Sequence, residues 1–132
     1  MKYRALGALI LVMAAARLRA EEIVVIVNPA APALDKAQIA DLYLARSSGR
    51  VPIDQGADSP IYLEFYKRAT GRDIGQIKAI WSRILFTGRG LPPKQLADSA
   101  AVKRAVAADP KAVGYIEKSA VDASVKVALA LD

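Results

Sequence analysis

The chain has 132 residues, 54% of them hydrophobic, with no cysteine and no histidine. That excludes disulfides, thiol chemistry and any Ser-His-Asp or Cys-His catalytic arrangement, and it leaves a metal site only carboxylates to work with. The formal charge is +6, but four of the 19 basic residues and none of the 13 acidic ones lie in the first twenty positions, so the remainder carries only +2.

Those twenty residues come first in chain order. Lys2 and Arg4 precede an apolar run from Ala5 to Ala16, and Leu18-Arg19-Ala20 then leads into Glu21-Glu22. A basic start, about a dozen apolar residues and a small residue before a polar start are the layout of a cleaved secretory signal. The alternative is a retained anchor, but the run is shorter than the roughly 20 apolar residues of a membrane span. The expectation is a signal peptide over residues 1–20 and one periplasmic domain over residues 21–132, with one hydrophobic core and no stable membrane span after cleavage. The basic excess then belongs to the targeting segment. No basic stripe interleaved with aromatics remains, which argues against a nucleic-acid partner.

Ile23 to Val27, IVVIV, reads as a buried strand ended by Asn28-Pro29, and residues 30–33 as a loop. Asp35 with Gln38 three residues on has the form of a capping box, and Ile39, Leu42 and Tyr43 continue at helical spacing. This helix is expected to end near Ser47-Ser48-Gly49. Val51 to Asp54 is a second strand candidate. Ser59-Pro60 signals a helix start, because proline at the first helical position gives up an N–H that had no intrahelical partner. Ile61, Phe65 and Ala69 give that helix an apolar side, and Gly71 ends it.

Asp73 and Gln76 form another possible capping box, followed by a stripe of Ile77, Ile80, Trp81, Ile84 and Leu85. Gly88-Arg89-Gly90 and Pro92-Pro93 mark a long loop. Ser99 opens a fourth helix through Val102, Val106 and Ala107, stopped at Asp109-Pro110. Val113 to Glu117 and Val125 to Leu131 read as the last strands. The order β-α-β-α-α-α-β-β predicts a compact α/β domain, a small mixed or parallel sheet flanked by helices.

Two places could carry chemistry. In the first, a strand ends at Asp54-Gln55, a polar turn follows, and a helix begins at Ser59. In open α/β sheets ligands bind beyond the carboxyl ends of strands, where helix N-termini attract anions. The plain alternative is that Ser59 only caps its helix and Asp58 only complements its dipole. Asp54 and Asp58 would repel an anion there unless paired or protonated. In the second, Arg89 between two glycines could clamp a carboxylate or phosphate, or belong to an ordinary surface turn. The Lys-Ser/Thr ending of a nucleotide phosphate loop is absent. Trp81 and Tyr115 read as packed core residues.

Three pieces together carry a resemblance: Ile39-Ala40-Asp41-Leu42-Tyr43-Leu44-Ala45-Arg46, the segment VPIDQGADSPIYLEF, and Ala112-Val113-Gly114-Tyr115-Ile116-Glu117. In order and spacing the chain resembles one lobe of the phosphate-binding, periplasmic component of phosphate ABC transporters, a type II periplasmic-binding-protein fold. Members of that family hold phosphate between two lobes. Their ligand loop has an arginine and an aspartate, then Ser-Gly-Thr. Here Gln55 and Ala57 stand in the first two places, Ser59 is kept, and Pro60 and Ile61 replace the glycine and threonine. Proline also removes one backbone N–H.

The resemblance implies a non-catalytic, solute-binding-like protein. It would bind a small anion such as phosphate weakly through Gln55, Asp58, Ser59 and Arg89, with no cofactor. An alternative is a protein-interaction lobe, paired with a second copy or an envelope protein across the exposed face. A remote alternative is a hydrolase using two of Asp54, Asp58, Glu64 and Glu117.

Overall fold

Every side chain of the first strand, β1 (Ile23–Val27), is buried, and burying each is worth about 1.5–3 kcal/mol. The computed structural model describes residues 22–131; the segment read as a signal lies outside them. After β1 come α1 (Lys36–Tyr43), β2 (Val51–Gln55), α2 (Pro60–Thr70), α3 (Ile74–Phe86), β3 (Lys94–Leu96), α4 (Ser99–Ala108), β4 (Ala112–Glu117), a 3-10 turn at Lys118–Ala120 and β5 (Lys126–Leu131).

The five strands form one open sheet in the order β3-β2-β4-β1-β5. It is a mixed sheet: β2 runs parallel to β3 and β4, while β1 runs antiparallel to β4 and β5. β3 was not expected from the sequence, since three residues that are not buried carry no apolar pattern.

Alternation along each strand sorts the core into two layers. Ile23, Val25 and Val27 of β1 join Val113 and Tyr115 of β4 under α1, α2 and α3. Val24 and Ile26 join Ala112 and Ile116 under Val102 and Val106 of α4. Gly114 faces this second layer. A Cβ there would overlap Val102 Cγ1 and lie 3.3 Å from Val106 Cγ2, so the glycine lets α4 sit close on β4.

Both capping boxes form: Asp35 with Gln38 starts α1, and Asp73 with Gln76 starts α3. α4 is capped by Asp98, whose side chain accepts from the Ala101 N–H; Ser99 is its first helical residue rather than its cap. α1 is shorter than its sequence implied. It stops at Tyr43 because Ala45 adopts a left-handed φ of 58°, and the Arg46 N–H returns to Asp41 O at 2.7 Å. That is a Schellman closure with alanine where glycine is usual. The Tyr43 carbonyl, left over at this helix end, accepts from Trp81 Nε1 at 3.2 Å, which ties α3 to α1.

Candidate functional site

β2 ends in two buried polar residues, Asp54 and Gln55, and alternation sends them to opposite faces. Asp54 turns to the aromatic layer. Its Oδ2 accepts from Tyr66 Oη at 2.6 Å, and its Oδ1 accepts from Tyr115 Oη. Burial pushes this carboxyl up to about 6, although the hydroxyls of Tyr115 and Tyr66 and the Gln55 backbone N–H pull the other way. The same burial, reinforced by the Asp54 charge, drives both tyrosines far above their ordinary range.

Gln55 turns toward α4. Its Nε2 donates to Ser99 Oγ and to the Tyr115 carbonyl, both at 2.9 Å, and its backbone N–H donates to Tyr115 Oη at 3.1 Å. Ser99 Oγ passes the chain on to Glu117 Oε2. Both amide protons of Gln55 are therefore committed inside the protein. Ser99 had been read from sequence only as a helix start. Its place beside Gln55 follows from β2 and β3 pairing in parallel, with Gln55 opposite Leu96, three residues before Ser99, which no local signal announces.

The turn beyond Gln55 leads to the start of α2. Asp58 is exposed and folds back over Gly56, where a Cβ would come within 2.9 Å of its Oδ1. Ser59 occupies the N-cap position in extended conformation with Pro60 after it, but its side chain makes no cap bond. Its Oγ is buried and has no hydrogen-bond partner. Of the four α-helices among the described residues, the other three are each capped by an aspartate side chain. The simple capping role for Ser59 is thus not the one the geometry gives it.

Arg89 sits beyond the other end of α3. Its Nε donates to Thr87 Oγ1 at 3.2 Å, and no hydrogen bond or ion pair joins it to the turn at residues 55–59. Of the remaining carboxylates, Glu64 pairs with Arg68 at 3.0 Å on the outside of α2. Asp54, Glu64 and Glu117 thus each serve a different neighbour.

A cavity of about 100 Å³ opens next to Asp54, walled by Tyr62 and Tyr66 of α2, Lys78 and Trp81 of α3, and Pro92 and Pro93. At about 30 Å³ per water it has room for a few heavy atoms, the size of a small ion with its hydration. Sequence reading missed this cavity because α3 and the prolines reach it only through the tertiary fold.

The architecture is shared with solved binding proteins. The chain is similar to an ABC-type phosphate transport receptor from Vibrio cholerae, at 18% identity and a TM-score of 0.62 over 81% of this chain and 45% of that one. It is likewise similar to a protein assigned as a phosphate ABC transporter substrate-binding protein from Clostridium perfringens, solved with bound phosphate, at 20% identity and a TM-score of 0.65 over 81% of this chain and 44% of that one. The chain spans less than half the length of either. No protein-family model matches the sequence, nor does any curated protein. The likeness is one of fold: this α/β sheet with its four helices is built like a lobe of those binding proteins.

Proposed function

We propose that this chain is a non-catalytic, solute-binding-like lobe, exported to the periplasm behind a cleaved N-terminal signal, that takes a small oxyanion weakly at the start of α2. The observation that carries this reading is the buried, unpartnered Oγ of Ser59 at the one α-helix start among the described residues with no capping side chain. A hydroxyl without a partner costs about 1–3 kcal/mol of desolvation, which an oxyanion accepting from it would recover. The positive end of α2 favours the same ligand. Both solved relatives are phosphate receptors, one of them holding phosphate.

The carboxylate of Asp58, exposed on the turn before Ser59, tempers the affinity. It accepts hydrogen bonds and cannot donate them. An anion that carries a proton, such as hydrogen phosphate, can donate to it; sulfate at neutral pH cannot. Phosphate is therefore the expected ligand and sulfate the discriminating control. Gln55 shapes the mouth from behind, and Arg89 does not enter this reading.

Thermal unfolding of the protein in millimolar phosphate, sulfate and acetate is the test. Occupancy at a hundredfold excess over Kd adds about 2.7 kcal/mol, a rise of roughly ten degrees in a domain of this size. Phosphate alone should raise Tm, and Ser59→Ala should abolish that rise while itself lifting the ligand-free Tm by a few degrees, since it removes the unpaired hydroxyl. A rise shared equally by sulfate, or kept in Ser59→Ala, would rule the site out. Gln55→Ala is a poor probe, since it strips two internal hydrogen bonds.

A further inference from the structure

The end of α3 and the loop after it form a surface of a kind found nowhere else among the described residues. Phe86 is 92% exposed and Leu91 83% exposed, with Leu85 about half exposed beside them. Phe86 lies nine residues after the buried Ile77, about 180° around the helix, so it points away from the core. These groups are held, not loose. Gly88 takes a left-handed φ of 70°, its N–H donates to Leu85 O, and the Arg89 N–H donates to Ile84 O at 3.1 Å. This Schellman closure winds the loop back onto the last turn of α3. Gly90 then packs toward Ile84 and Ala45, with its Cβ position 3.5 Å from a carbon of each.

Charge lies along the same stretch of chain, with Arg83 and Arg89 at the tip itself, Lys78 by the Asp54 cavity and Lys94 on β3. Between Asp73 and Asp98 the sequence holds Lys78, Arg83, Arg89 and Lys94 and no acidic residue. All four are exposed, and none forms an ion pair among the described residues. The protein's four ion pairs among the described residues lie elsewhere, at Arg46, Arg68, Lys103 and Lys118.

From this combination we infer that the tip at residues 85–91 docks peripherally on an anionic phospholipid surface, with Phe86 and Leu91 entering the headgroup region and Arg83 and Arg89 contacting lipid phosphates. An exposed ring and an exposed leucine flanked by basic residues suit a surface that is negative outside and apolar just beneath. An acidic protein that buries apolar anchors is the competing occupant. The inference is independent of ligand binding at Ser59.

The test reads the tip itself, because the apolar run at residues 5–16 can bring the whole chain to lipid by another route. Phe86→Trp places a reporter at the tip; Val127→Trp places one on β5, at the edge of the sheet opposite β3. Trp81 is buried and contributes a constant background. Each full-length variant is mixed with phosphatidylcholine vesicles with and without phosphatidylglycerol, some carrying brominated acyl chains. Phe86→Trp should shift to the blue and be quenched by bromolipid only where phosphatidylglycerol is present, and Val127→Trp should do neither. Replacing Arg83 and Arg89 with glutamine in the Phe86→Trp background should weaken this partitioning about tenfold or more, since each surface cation contributes about fivefold at most. An unchanged Phe86→Trp spectrum would overturn the inference and leave an acidic protein as the occupant. Equal responses at positions 86 and 127, or no loss in the glutamine variant, would overturn it as well.

Discussion

On one face of the sheet Tyr43, Phe65, Tyr66 and Tyr115 pack ring against ring beneath three helices, Phe65 stacked on Tyr115 at 3.8 Å. On the other a single helix lies on valine, isoleucine and alanine, and that layer holds no aromatic ring among the described residues. The two faces solve different problems. The aromatic face must bury a carboxylate, and tyrosine is the residue that offers large apolar area together with a hydroxyl to donate. The aliphatic face buries no charge and instead brings backbone close to backbone through Gly114. The buried charge therefore sits where the layer is thick, and tolerance to added volume is lowest where it is thin.

That contrast can be broken at four places. Phe65→Ala removes the ring that stacks on Tyr115 and touches Tyr43 and Tyr66, and should cost about 3–5 kcal/mol in denaturant unfolding. A cost below 1 kcal/mol would mean that the aromatic layer repacks freely. Asp54→Asn tests the buried charge. Burial raises the folded carboxyl from 3.8 to about 6, so the native state binds the extra proton and the wild type loses stability as pH rises through that window. Relative to the variant it should fall by about 2–3 kcal/mol between pH 4 and pH 6, with a flat difference on either side. A constant difference across this range would place the Asp54 carboxyl outside the low-dielectric layer.

On the thin face, Gly114→Ala adds one methyl group against Val102 and should cost about 1–3 kcal/mol. The smallest effect is a gain. Ala45→Gly relieves the left-handed strain at the end of α1, and after the entropy cost of glycine it should stabilise the fold by about 0.5–1 kcal/mol. Loss of stability there would show that the Ala45 methyl, 3.5 Å from the Cβ position of Gly90, matters more than its φ.

What the sequence made legible was local chemistry. Asp35-Gln38 and Asp73-Gln76 formed their boxes, Pro60 took the first position of α2, and Gly71 closed it with a φ of 72°. In each case donor, acceptor and backbone preference lie within four residues. Ala45 escaped notice because nothing about alanine announces a left-handed turn. The site was legible only in outline. Asp54, Gln55 and Ser59 could be placed at the end of a strand and the start of a helix. That Asp54 would meet two tyrosines and that Gln55 would turn inward to Ser99 depend on partners 12 to 61 positions away, and the Ser59 hydroxyl is left over with none. Those meetings are set by strand order, which local patterns do not encode.

The position of β1 has a kinetic consequence. It is the first strand in the chain, yet its neighbours in the sheet are the last two, with Ile23 opposite both Glu117 and Leu131. Five β-branched side chains are made before either strand they pair with and wait for residues 112–131. Bringing them together closes a loop of roughly ninety residues or more, and such distant pairings slow the search for the native state. The remaining strands cannot stand in for β1, because it separates β4 from β5. The sheet is thus completed only once residues 112–131 have been made, and a chain interrupted before β4 leaves its most apolar strand uncovered.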